Sequence, residues 1–227
     1  MQPAALIPNY DNGRTLRDVI ERTLAVLPDV LVVDDGSNDD SWNVIESFGT
    51  RIRTVRHPVN LGKGAALRDG FAALFAAGFT HAIALDADGQ HFPEDLPRLL
   101  AASAAEPDAL VVGARDLGAA HAPRRSRFGL WCSNTALRLL SGVRVDDSQS
   151  GFRSYPLAAI TRLDLRGVRY DLEMEALFEA ARAGVPIRSV PIRVTYAPEG
   201  GRVSHFRPVR DFLQIGAHVA RTFRRRD

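Results

Sequence analysis

Two aspartates one residue apart, Asp86 and Asp88, follow the apolar run His81–Leu85. Side chains at such a spacing beyond a strand can converge on one divalent cation. Mg²⁺ and Mn²⁺ take oxygen ligands and are often shared with substrate phosphates, and Gln90 adds an amide oxygen two residues on. A cation held there would neutralise a diphosphate leaving group; the competing reading is a solvated turn whose acids cap the next helix. Asp34-Asp35-Gly36-Ser37 also ends an apolar run. Its acids can accept hydrogen bonds from a nucleobase or ribose, while Ser37, Asn38 and Asp39 are good helix caps. In Asn60-Leu61-Gly62-Lys63-Gly64 a glycine-flanked lysine opens a helix and can meet phosphate directly or simply stand near it. In Asp146–Arg153 a loop carboxylate can act as general base or orient an acceptor phosphate. The acids of Tyr170–Glu175 lie at a helix start, where they also complement the helix dipole.

These groups require a scaffold that brings strand ends together. Strands are expected at residues 4–7, 30–33, 51–55, 81–85 and 109–113, and helices at 14–27, about 40–48, 64–77 and 93–104. Leu16, Val19, Ile20, Leu24 and Leu27 share one face of the first helix, and Leu67, Phe71, Leu74 and Phe75 one face of the third. Strands alternating with helices predict a mainly parallel sheet covered on both faces. Ligands in such sheets bind beyond the carboxyl ends of the strands, where these polar clusters fall. The second half is less regular: a helix at 126–140, a loop turning extended over 143–155, a helix at 171–183, a strand within 185–196 and a last helix near 208–223. With no repeat, linker or low-complexity tract, the 227 residues read as one domain, with a nucleotide-binding half to about residue 115, an acceptor half over 116–206 and a basic tail over 207–227.

Composition is that of an ordinary globular chain, with 45% hydrophobic and 25% charged residues. The single cysteine, Cys132, allows no internal disulfide and reads as a small apolar residue. Neither a leader pattern nor a run of about 18 apolar residues occurs, so a cytoplasmic, peripheral protein is expected. Net charge is +2, but from Arg202 onward seven arginines face two aspartates. Such a tail suits either an anionic membrane surface or a solvated helix. Little aromatic interleaving accompanies it, which disfavours nucleic acid. Neither the phosphate loop G-x-x-x-x-G-K-[ST] nor a dinucleotide fingerprint is present.

PNYDN (8–12), VVDDGSND (32–39), NLGKGAALRDGF (60–71), LDADGQH (85–91), VGAR (112–115), DSQSGFRSY (147–155), YDLEME (170–175) and VPIRVTY (190–196) with Ser204-His205 occur in that order. The chain thereby resembles family 2 glycosyltransferases of the GT-A fold over roughly residues 4–206, most closely the polyprenyl-phosphate sugar transferases of the dolichyl-phosphate mannose synthase type. The resemblance implies a Rossmann-like α/β single domain. It implies inverting transfer of a hexose from a nucleotide-diphosphate sugar, of GDP-mannose or UDP-glucose type, to a lipid acceptor at the cytoplasmic membrane face. Pro8, Tyr10, Asn12, Asp35, Lys63, Asp86 and Arg115 would bind the donor, and Asp86, Asp88 and Gln90 the Mg²⁺ or Mn²⁺. Arg124, Arg127, Arg153, Glu175, Arg202, Ser204 and His205 would meet the acceptor or its phosphate. Asp88 and Asp147 would flank the reacting centre, with Asp147 a base if the acceptor is a hydroxyl. Asn12 replaces a glutamate common in the family, Leu130 stands near a usual serine, and Ser204-His205 replaces a Ser-Lys step. A non-phosphate lipid or pigment hydroxyl is therefore a rival acceptor, and a non-catalytic nucleotide-sugar-binding partner a rival function. The absence of Gln-x-x-Arg-Trp argues against processive polysaccharide synthases.

Overall fold

Short runs of Val, Ile, Leu and Ala separated by turn residues cannot each bury their apolar sides alone, and here they assemble into one sheet. The computed structural model describes residues 1–116, 124–169 and 171–195. Its strands are β1 (Pro3–Asn9), β2 (Val30–Asp34), β3 (Arg53–Arg56), β4 (His81–Ala84), β5 (Leu110–Arg115), β6 (Arg153–Pro156) and β7 (Ile187–Ile192), in the spatial order β3-β2-β1-β4-β6-β5-β7. Flanking them are α1 (Gly13–Leu24), α2 (Ser41–Glu46), α3 (Lys63–Ala76), α4 (Leu96–Ala105), α5 (Arg124–Ser141), α6 (Leu157–Ile160) and α7 (Asp171–Arg182).

The central strands are buried along their length because helices cover both faces. One layer packs Leu6, Leu31 and Val33 against Leu67 and Phe71 of α3 and Leu177 of α7. The other packs Ile7, Val32 and Ile83 against Leu16, Val19 and Ile20 of α1 and Leu99 of α4. α3 approaches β1 so closely that a Cβ on Gly70 would lie 2.4 Å from the Leu6 side chain. Pro8 sits in the central β1, where a missing N–H would normally break a ladder. Pairing to β4 ends at Leu6 and Ala84, so Pro8 lies beyond the last bond on that side.

The sheet is parallel except at β6, which runs antiparallel to both β4 and β5. Its first residue, Arg153, pairs with Ala84 near the end of β4 and with Val112 in β5. The loop before β6 therefore opens onto the same sheet edge as the segments after β1, β2, β4 and β5.

Most expected elements form within a few residues of their predicted bounds. Phe75 is a correction: it is 47% exposed, lying one position past the buried stripe that ends at Leu74. Pro93 opens a short 3-10 turn (Pro93–Asp95) before α4 rather than α4 itself. α6 was not expected, being a single turn. Cys132 is half-buried. The helix expected at 208–223 lies outside the described residues.

Candidate active site

Each segment beyond a strand end is fixed by its own polar contacts. After β1, Asp11 turns with φ 53°. Its Oδ1 accepts from the Asn38 amide at 2.7 Å, and its own N–H donates to Ser37 Oγ at 3.0 Å. Asn12, buried, occupies the residue position before α1 and donates its side-chain amide to the Tyr10 carbonyl. The fully buried Asp34 accepts from Asn9 Nδ2 and from Ser37 Oγ. The loops after β1 and β2 are thus one hydrogen-bonded unit.

Asp35 anchors the next segment. Its Oδ1 accepts from Leu61 N–H at 2.8 Å and lies 2.7 Å from His57 Nδ1, and its Oδ2 accepts from Gly62 N–H at 2.7 Å. His57 Nε2 in turn lies 3.0 Å from Asp69 Oδ2. Sequence reasoning placed Asp35 against the nucleotide. In the structure the bonds from Leu61 and Gly62 hold the glycine-rich turn that starts α3, so Asp35 positions Lys63.

Gly62, with φ 99°, has room for no Cβ, which would lie 2.1 Å from the Val168 carbonyl oxygen. The turn therefore seats flush and aims Lys63 at the sheet edge. Lys63 Nζ lies 2.5 Å from Asp86 Oδ1 and 2.9 Å from Glu173 Oε1 of α7. A Cβ on Gly151, from the loop before β6, would come within 3.0 Å of Lys63 Nζ and Glu173 Oε1 and within 2.9 Å of Asp86 Oδ2. Three distant segments thus converge where only glycine fits. Glu173 carried no weight of its own in the sequence; Glu175, two residues on, was expected at the acceptor. Glu175 instead accepts the backbone N–H groups of Arg166 and Gly167 at 2.9 and 2.7 Å and braces the turn before α7.

Asp86 and Asp88 have different electrostatic surroundings. Burial opposes ionisation of Asp86, but the Lys63 ammonium outweighs it and holds the carboxyl below its usual range. Burial, and then the negative charge of Asp86, push Asp88 up to about 6. His91, buried under this pair, is pushed down to about 4 by burial and stays neutral. Among the described residues no group of three or more His, Cys, Asp or Glu side chains is arranged to enclose a metal ion. Two carboxylates with a neighbouring amide nevertheless fit a cation that takes its other ligands from a diphosphate. The upward push on Asp88 supports that fit, since it marks an excess of negative charge that a cation would relieve. Gln90 is half-buried beside them, its N–H donating to Asp88 Oδ1 at 3.0 Å.

Arg115 is expected on the donor phosphate and Asp147 near the reacting centre, as a base if the acceptor is a hydroxyl. They form one unit: Arg115 Nε lies 2.5 Å from Asp147 Oδ2 and Nη2 2.9 Å from Oδ1. Asp147 is fully buried and also accepts the N–H groups of Arg115 and Gln149. Both oxygens of Asp147 are engaged by the Arg115 guanidinium, so the structure places this carboxylate as the partner that holds Arg115. Arg153, expected near the acceptor, is likewise placed elsewhere. It is fully buried, and its guanidinium donates to the carbonyls of Ser150, Ser148 and Glu173, which shapes the 147–151 loop from behind.

Pro8 is buried in β1, and Tyr10 is half-buried at its end. Arg127 lies exposed on α5, and Arg124 is the first residue of that helix. Tyr170, Arg202, Ser204, His205 and the basic tail lie outside the described residues.

Residues 4–165 match the family described as Glycosyl transferase family 2. A UDP-N-acetylglucosamine–dolichyl-phosphate N-acetylglucosaminyltransferase of Methanococcus voltae is 27% identical over 84% of this chain and 84% of its own. A polyprenol monophosphomannose synthase of Mycolicibacterium smegmatis is 31% identical over 84% of this chain and 76% of its own. Among solved structures, glucosyl-3-phosphoglycerate synthase of Mycobacterium tuberculosis with Mn²⁺, UDP-glucose and phosphoglyceric acid superposes with a TM-score of 0.69 at 21% identity, covering 98% of this chain and 78% of that one.

Proposed function

The chain belongs to glycosyl transferase family 2, and on that premise we propose that it transfers a hexose from a nucleotide-diphosphate sugar, of GDP-mannose or UDP-glucose type, to a polyprenyl phosphate at a membrane surface. One observation carries the choice of acceptor: Asp147, the loop carboxylate best placed to serve as a base, is held on both oxygens by Arg115. A hydroxyl acceptor needs a base, whereas a phosphate monoester is already anionic near neutral pH, its second pKa being about 6. The relatives named for dolichyl-phosphate and polyprenol-monophosphate products support this reading.

In this reading Asp86, Asp88 and Gln90 hold a divalent cation, as the neighbour solved with Mn²⁺ and UDP-glucose suggests. Such a cation supplies charge neutralisation to the departing diphosphate. Lys63, kept at the site by the Asp35-anchored turn, and Arg115, kept in place by Asp147, contribute fixed positive charge where negative charge accumulates. An acceptor phosphate oxygen bonds to the anomeric carbon as the bond from that carbon to the diphosphate oxygen breaks. The electron pair leaves with the nucleoside diphosphate, and the configuration inverts. Tyr10 and Asn12, fixed beside the unit formed by the first two loops, border the space for the nucleoside.

Calorimetric titration with GDP and UDP, each with Mn²⁺ and with EDTA, tests the donor half. Metal-dependent binding of one nucleotide is expected, and binding of neither by the folded protein would defeat the reading. Sugar transfer to undecaprenyl phosphate against undecaprenol tests the acceptor half. Preference for the free alcohol would defeat the phosphate assignment and require a base other than Asp147. Nucleotide binding without transfer to any acceptor would favour the non-catalytic partner.

A further inference from the structure

The 18-residue helix α5 contains four arginines and no acidic residue. One side of it is bound to the candidate active site. Asn134 Oδ1 accepts the Ser148 amide at 3.0 Å, Asn134 Nδ2 donates to the Asp146 carbonyl at 2.9 Å, and Ser133 Oγ accepts from Gln149 Nε2 at 2.7 Å. Leu137, on that same side, is fully buried in the core. The loop that holds Asp147 is therefore attached to the inner face of α5.

The outer face has a different character. Phe128, Trp131 and Leu139 are 66%, 62% and 78% exposed, and the first two rings stack with centroids 6.0 Å apart. Steps of three and eight residues place all three on one side of the helix. Arg127 and Arg138, both exposed, fall along one edge of that side. Aromatic and leucine side chains bordered by arginines, with no acid on the element, are what a helix needs to lie in the headgroup region of an anionic bilayer. Water gives such a face nothing to bury against, and a protein partner of ordinary acid–base balance would not call for an acid-free helix.

We propose that the outer face of α5 is the membrane-docking surface of this protein, with Phe128, Trp131 and Leu139 seated among lipid headgroups and Arg127 and Arg138 on anionic phosphates. This rests on the proposed acceptor class and adds the place where lipid and protein meet. α5 spans about 27 Å at 1.5 Å per residue. Lying flat, it sets the opposite side, with Ser133, Asn134 and the Asp147 loop, one helix diameter from the headgroups.

The test uses the 227-residue chain with Trp42→Phe, which leaves Trp131 as its single tryptophan. It is mixed with vesicles of phosphatidylcholine alone and of phosphatidylcholine with phosphatidylglycerol. Anionic vesicles should shift Trp131 emission to the blue, and lipids brominated near the headgroup should quench it; neutral vesicles should do either only weakly. In the two-tryptophan background, replacing Phe128, Trp131 and Leu139 together by serine should lower the vesicle partition coefficient at least about tenfold. Binding of GDP or UDP with Mn²⁺ should be unchanged. Vesicle binding without any change at Trp131 would assign docking to the arginine-rich tail and overturn the proposal. So would Trp131 emission that is already blue in solution, or a dimer that the triple variant dissociates, because either places protein on that face. Loss of nucleotide binding with Trp131 insertion intact would sink the donor reading alone.

Discussion

Asp88→Asn should make the cation-free protein more stable while removing its response to Mn²⁺. The carboxyl of Asp88 is raised from 3.8 to about 6 in the folded state, by burial first and the adjacent Asp86 charge second. A raised carboxyl binds its proton more tightly when folded. The stabilisation from that proton is complete below about pH 4 and is lost as pH rises through about 6. The full interval corresponds to at most about 3 kcal/mol, and solvent at the half-buried carboxylate trims it to roughly 1–3 kcal/mol. Asparagine carries no charge at any pH. The variant should therefore match the wild type near pH 4 and exceed it at pH 7.5 in EDTA, by about 2–4 °C in Tm per kcal/mol for a chain of this length. With Mn²⁺ at a hundred times its Kd the wild type should gain about 2.7 kcal/mol, and the variant little. Thermal melts at the two pH values, with EDTA and with Mn²⁺, measure all four quantities. A variant less stable than wild type at pH 7.5 in EDTA, or stabilised by Mn²⁺ to the same degree, would refute the reasoning.

Other substitutions probe the remaining contacts. Arg115→Lys keeps the charge but loses the two-pronged grip on the fully buried Asp147; it should cost about 1–3 kcal/mol in a urea melt and lower turnover more than nucleotide affinity. Gly151→Ala puts a methyl group within 3.0 Å of three charged atoms; circular dichroism should show a folded protein about 1–3 kcal/mol less stable, with Mn²⁺ affinity reduced. Lys63→Met leaves Asp86 and Glu173 facing each other without their ammonium; the variant should lose about 3 kcal/mol in EDTA and recover part of it when Mn²⁺ is added.

The elements were legible because their signals are local. Alternation of apolar runs with 3.6-residue stripes marks a covered parallel sheet, and acids or glycines after β1, β2 and β4 mark the edge where ligands bind. Partnership was not legible. Arg115 and Asp147 lie 32 residues apart, and no spacing rule says that one will grip the other. Glu173 and Glu175 share a helix start and look alike in sequence. Which of them meets Lys63 depends on how α7 rotates as Leu172, Met174, Leu177 and Phe178 pack. Arg153 is expected at the acceptor from the resemblance alone; here it opens β6 between two strands, and its buried guanidinium is satisfied by carbonyls. His57 carried no motif of its own, and its bridge from Asp35 to Asp69 exists only once β3 lies beside β2.

The reversal at β6 explains why the long-range contacts of Asp147, Gly151 and Arg153 gather in one place. A parallel strand between β4 and β5 would send its preceding loop to the opposite edge of the sheet, about as far from Asp86 as the strands are long. An antiparallel strand delivers residues 147–151 to the edge where β4 ends, so a buried arginine must brace that loop from within and a glycine must let it pass the Lys63–Asp86–Glu173 cluster. α5 holds the same loop from the other side through Ser133 and Asn134. A chain of hydrogen bonds thus runs from α5 through the 146–149 loop to Asp147 and the Arg115 guanidinium. Asn134→Ala cuts two of those ties without touching any charged group. It should leave Mn²⁺-dependent nucleotide binding intact and reduce transfer, and equal loss of both would show that α5 supports the fold without positioning the Asp147–Arg115 pair.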